Sequence, residues 1–96
     1  MYKPTKYSLI KARLLGVTIE PSTNPNKKLD VYKRGLKVAS IGDPRYLDYP
    51  NFVKLEKSKK IEPGTAKKRR AAYLKRHAKT IKRKFSPSWY ASKILW

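Results

Sequence analysis

A chain of 96 residues with 25 Lys and Arg against six acids, a net charge of +19 and 40% hydrophobic content is sized for one domain with a small core, which argues against a catalytic cleft with a substantial supporting shell. The absence of cysteine excludes a disulfide framework and a thiolate metal site, and fits a reducing cytosol or nucleus. No apolar run nears the roughly 20 residues that span a bilayer, and Met1-Tyr2-Lys3-Pro4 is not followed by a signal-peptide core, so a soluble or peripheral chain without a classical secretion signal is expected.

Thr5 through Leu15, with Leu9, Ile10, Leu14 and Leu15 at helical spacing and Gly16 as a stop signal, predicts a short amphipathic helix, although Val17 to Ile19 would also suit a strand. The breaker-rich segment Pro21 to Asn26 reads as a loop. Two alternating runs, Leu29–Lys33 and Leu36–Ile41, flank Arg34-Gly35 and predict a β-hairpin, which needs a helix to pack on. Asp48 to Phe52 reads as a turn, and Phe52 to Leu55 as a short third strand or a helical turn.

Thr65 is placed to cap a helix running to about Lys84, roughly 30 Å long. Ala66, Tyr73, Leu74, His77, Ile81 and Phe85 fall on one arc of it, and Lys68, Lys75, Arg76, Lys79, Lys82 and Arg83 on the other. Ser86-Pro87 then starts a short apolar helix, as N-cap and first helical residue, carrying Trp89, Tyr90, Ile94, Leu95 and Trp96. The expected architecture is α+β: one small domain over residues 1–96, with a β-hairpin packed on a long basic amphipathic helix and a short C-terminal helix. Its parts are a helix and loop (1–26), the hairpin and turns (27–64), and the basic helix with the terminal aromatic helix (65–96).

Charge is the feature that bears most on function. Between Lys57 and Lys84 stand thirteen basic residues and one acid, Glu62, so this stretch carries +12 of the total. Lys75, Lys79 and Arg83 sit one helical turn apart, and each like-charged pair costs roughly 0.2–0.5 kcal/mol without a counter-anion. A polyanionic partner is implied, whether nucleic acid, an anionic membrane surface or acidic protein. The candidate polyanion-binding residues are Lys67, Lys68, Arg69, Lys75, Arg76, Lys79, Lys82, Arg83 and Lys84; the candidate protein-docking residues are Tyr73, Trp89, Tyr90, Ile94, Leu95 and Trp96.

Arg70 interrupts the apolar arc. Either its stem snorkels to water or it pairs with one of Asp30, Asp43 and Asp48. The one histidine, His77, reads as a packed core residue, because no carboxylate or thiolate set stands near it to hold a metal. Six scattered carboxylates and no nucleophile–base motif give no enzymatic signal and no cofactor. The aromatic residues suit base stacking on single strands, yet they are also what so small a core requires. Trp89, Tyr90 and Trp96 beside a basic helix would suit a membrane interface, but the arc lacks the Leu and Phe content of a strong interfacial helix.

Taken in order, Leu15-Gly16-Val17 before Pro21-Ser22-Thr23, Leu29-Asp30-Val31-Tyr32-Lys33, Lys37-Val38-Ala39-Ser40-Ile41-Gly42, Tyr49-Pro50, Lys68-Arg69-Arg70 with Tyr73 and Arg76-His77, and Ser86-Pro87 with Ile94-Leu95-Trp96 resemble a family of small basic proteins of large nucleocytoplasmic DNA viruses, the algal-virus type especially. The likeness covers nearly the whole chain. It departs at Ser88, where the family pattern has Gly, and in the lysine tract before Ser86. The resemblance implies a setting and no particular activity: a non-enzymatic virion component, such as a minor capsid or cement-type protein that bridges capsid subunits to membrane or genome, or alternatively a sequence-independent DNA-binding protein. Its partners would be capsid proteins of the same virion, with nucleic acid or an anionic membrane surface, and no small-molecule substrate. Its place would be the virion and, during assembly, the host cytoplasm or nucleus.

Overall fold

The computed structural model describes residues 2–96. Helix α1 (Lys6–Leu14) begins at Thr5, whose Oγ1 accepts the Ser8 N–H at 3.1 Å. It closes in a Schellman motif: the Gly16 N–H bonds the Arg13 carbonyl and the Val17 N–H the Ala12 carbonyl, each at 3.0 Å, with Gly16 at φ +74°. Ala12 and Val17, which accompany that motif, are both buried in the core.

The closing motif turns the chain straight into β1 (Thr18–Pro21), so the expected loop starts one residue later than Pro21. Strands β2 (Leu29–Lys33) and β3 (Leu36–Ile41) form the predicted hairpin, and Arg34 and Gly35, at φ +53° and +80°, make its two-residue turn. The sheet is antiparallel in the order β1-β2-β3, with Ile19 opposite Val31 and Val31 opposite Ala39. A register shift after Val31 leaves Val38 without a partner.

Leu29, Val31, Ala39 and Ile41 are buried with Ile19 and form the sheet's side of the core. On the other face Asp30 is buried as well, its Oδ1 accepting the Ser22 and Ser40 hydroxyls at 2.7 Å each. Those hydrogen bonds replace the water that burial removes.

The segment read as a turn at 48–52 and as a short third strand or a helical turn at 52–55 forms helix α2 (Tyr49–Lys57) with its cap, so the helical alternative is the one seen. Asp48 caps it by accepting the Asn51 N–H, and Pro50 sits in its first turn, where a missing N–H costs nothing.

The basic helix is shorter than expected. Helix α3 (Thr65–Arg76) gives way at His77 (φ −102°, ψ 13°) to a single turn, α4 (Ala78–Ile81), and Phe85 lies in the left-handed region at φ +69°. At about 18 Å, α3 is roughly three-fifths of the predicted length. A dense run of like charges without counter-anions weakens its continuation. Thr65 is also not the cap. It is the first helical residue, its hydroxyl donating to the Glu62 carbonyl, and the orphan Ala66 N–H is taken by the Glu56 carboxylate of α2. An acid at a helix start also opposes the helix dipole favourably.

The hairpin does not pack on this helix. The sheet rests on α5 (Pro87–Ile94) and α1, while α3 lies along α2. The reason is apolar surface: α5 and the residue after it bury Tyr90, Ala91, Ile94 and Leu95, whereas α3 fully buries only Ala66. Helix α5 starts as expected, with Ser86 Oγ accepting the Trp89 N–H and Pro87 in the first turn. Overall the chain is a small mixed α+β domain of three antiparallel strands and several helices.

On α1 most of the expected apolar stripe faces outward, and of its four residues Leu15 alone packs against the core. Leu9 and Ile10 are each 49% exposed and Leu14 79%, while Ser8 and Ala12 are buried. These small residues let α1 approach α5 closely enough for Ser8 Oγ to donate to the Ile94 carbonyl at 2.8 Å. A large side chain at either position would hold the helices apart.

Candidate polyanion-binding surface

All nine predicted basic residues, Lys67, Lys68, Arg69, Lys75, Arg76, Lys79, Lys82, Arg83 and Lys84, are exposed. Among the described residues none has a carboxylate within ion-pair distance. The three ion pairs among the described residues lie elsewhere: Lys28–Asp48 at 2.9 Å, Arg45–Asp43 at 2.8 Å and Lys37–Asp30 at 4.0 Å. With Asp30, Asp43 and Asp48 engaged there and Glu56 capping α3, only Glu20 and Glu62 remain to balance this surface. Its charge is therefore uncompensated within the chain.

Arg70 takes neither predicted course in full. It is exposed, its guanidinium lies over the Tyr49 ring at 5.5 Å, and Nε donates to the Trp96 main-chain oxygen at 2.7 Å. No aspartate is its partner, because Asp30, Asp43 and Asp48 each serve closer groups. The Tyr7 hydroxyl donates to the same Trp96 oxygen at 3.1 Å. Arg70 thus secures the segment after α5 to α3.

The predicted docking residues divide. Tyr90, Ile94 and Leu95 are in the chain's own core and present nothing to a partner, a correction that follows from their being the principal apolar cover for the sheet. Trp89 and Trp96 are half-buried against that core. Tyr73 stacks on Trp96, with ring centroids 4.3 Å apart and planes 9° from parallel, and His77 lies 4.3 Å from Tyr73 on α3. Burial and the neighbouring Arg76 cation both push His77 below its ordinary value.

These rings line a groove of about 620 Å³ between α3, α5 and the loop after β3. Arg69, Arg76 and Lys27 stand on it, and Arg69 lies over the Phe52 ring at 5.8 Å. Lys27 is a contributor the sequence did not single out, whereas Tyr46 and Phe52 stand among the aromatic residues weighed for base stacking against core packing; folding brings the three to rings 21 to 69 positions away. Among the described residues no three His, Cys, Asp or Glu side chains gather as a metal site, and no helix is long and apolar enough to cross a membrane. Comparison with protein-family models, curated proteins and solved structures finds no match to the chain.

Proposed function

We propose that this protein is a non-enzymatic nucleic-acid-binding protein that holds the phosphate backbone without reading base sequence. The observation that carries the reading is the uncompensated basic surface of α3, α4 and the turn that follows, where nine exposed cations have no ion-pair partner among the described residues. Lysine and arginine side chains aimed at solvent supply phosphate contacts but no ordered base-reading set. The resemblance to small basic proteins of large DNA viruses would make the bound polymer a packaged genome, and the virion its place.

A second reading, a minor capsid component, draws support from the outward Leu9, Ile10 and Leu14 of α1, the first two half exposed and the third largely so. The apolar side of α3 lends it less support, because α2 and Trp96 cover part of that side.

The test is a salt titration of binding to a labelled DNA duplex. Each phosphate neutralised contributes about 0.9 to the slope of log affinity against log salt, so replacing Lys75, Lys79, Lys82 and Arg83 by Gln should flatten that slope by up to about 3.6 while the circular dichroism is unchanged. Absence of duplex binding at low salt, or an unchanged slope, refutes this reading and favours the capsid one. Recovery of the protein with shell rather than genome on fractionating virions would do the same.

A further inference from the structure

The aromatic groove differs from the basic surface beside it, and its occupant can be named from its chemistry. We infer that it is a second site, for an unstacked segment of single-stranded nucleic acid, with bases against the His77–Tyr73–Trp96 rings and phosphates on Arg69 and Arg76, two cations that it shares with the basic surface. This rests on the reading above only in that the ligand is a nucleic acid.

Three observations point the same way. The groove, at about 620 Å³, is in the size range of sites that take a small organic ligand. Its charge is one-sided. Lys28 is neutralised by Asp48 and Asp43 by Arg45, which leaves Lys27, Arg69 and Arg76 as cations with no ion pair among the described residues. Phe52, Tyr73, His77 and Trp96 are half-buried, so each is held in place by packing yet keeps surface toward solvent, while Tyr46 is exposed. Flat rings beside uncompensated cations are the combination single strands use: every base has a π-face, and stacking tolerates any sequence.

A duplex hides its base faces and gains nothing from the rings. An acidic peptide would satisfy the cations and leave the rings unused. The single strand is the polyanion that uses both.

The experiment compares fluorescence-anisotropy binding of a labelled ten-residue oligodeoxythymidine and of a duplex of equal length, with polyglutamate as a competitor. It is run on the full chain and on Tyr73→Leu, the double variant Arg69→Gln/Arg76→Gln and the quadruple Gln variant described above. The site predicts that the double variant, whose replaced residues are exposed, loses tenfold or more in single-strand affinity beyond its loss for duplex, and that Tyr73→Leu does likewise with its far-ultraviolet dichroism intact. In a Trp89→Phe background, where Trp96 is the one remaining tryptophan, saturating oligothymidine should quench the emission. Equal losses for strand and duplex in the groove variants, or no quenching of Trp96 on saturation, overturn the inference while leaving the basic surface standing. Polyglutamate displacing the strand at equal charge concentration would assign the groove to acidic protein. Failure of every nucleic acid to bind overturns both readings.

Discussion

Asp48→Asn should destabilise this domain more than Lys28→Met, although the two residues form one ion pair. Lys28 Nζ donates to Asp48 Oδ2 at 2.9 Å, and their side chains are 5% and 1% exposed. At an effective dielectric of about 20 the attraction is about 6 kcal/mol, a gross figure largely offset by the desolvation of both ions. What distinguishes the partners is what each leaves behind. Without Lys28, the carboxylate keeps the Tyr2 hydroxyl at 2.7 Å, the Asn51 side-chain amide at 2.7 Å and the Asn51 N–H at 3.3 Å. Without the Asp48 charge, the buried ammonium faces a neutral amide.

The expected costs are therefore about 3–5 kcal/mol for Asp48→Asn and about 1–2 kcal/mol for Lys28→Met. A domain of this size holds only some 5–14 kcal/mol in total. Urea unfolding followed by tryptophan fluorescence reads the difference, since at a slope of about 1.5 kcal/mol/M the Asp48→Asn midpoint falls by roughly 2–3 M. A Lys28→Met protein less stable than Asp48→Asn, or losses under about 1 kcal/mol for both, would refute the account of which charge depends on which.

Gly42→Ala should cost roughly 1–3 kcal/mol, because its Cβ would lie 2.8 Å from Leu95 Cδ1 and 2.9 Å from Lys28 Cδ at φ +82°. Gly35→Ala, at φ +80° with nothing within 4 Å, should lose only about 1 kcal/mol, and thermal melts of the two variants check the contrast. Stability should also fall at both extremes of pH. Burial alone would raise Asp30, but hydrogen bonds from Ser40, Ser22 and the Thr23 N–H, with the Lys37 charge, hold it below its ordinary 3.8; its contribution is therefore present above 3.8 and lost as pH falls through the lower folded value. Burial and Asp48 push Tyr2 well above 10, so its contribution is complete below 10 and lost as pH rises through the folded value. Melting temperatures measured across pH should show both limbs, and Asp30→Asn and Tyr2→Phe should each flatten its own.

Local chemistry decided by near neighbours in the chain was readable at several points, though the Asp48 cap of α2 passed for a turn. Thr5 and Ser86 cap their helices, Gly16 closes α1, and the Arg34-Gly35 turn sets the hairpin, because each of these depends on hydrogen bonds or φ values within a few residues. The exposure of the basic residues was equally legible, since nine cations with so few acids have nowhere to go but water. Packing partners were not. Helical spacing marked Leu9, Ile10 and Leu14 as the inner face of α1, but the close approach of α5 selects Ser8 and Ala12 instead. The same competition gave the sheet to α5 rather than α3, and sent Arg70 to Trp96 rather than to an aspartate. Periodicity shows that a helix has two faces, but the volume and polar groups of whatever lies opposite decide which face is buried. That is why the groove, assembled from Lys27, Phe52, Tyr73 and Trp96 across 70 positions of chain, exists only in the folded molecule.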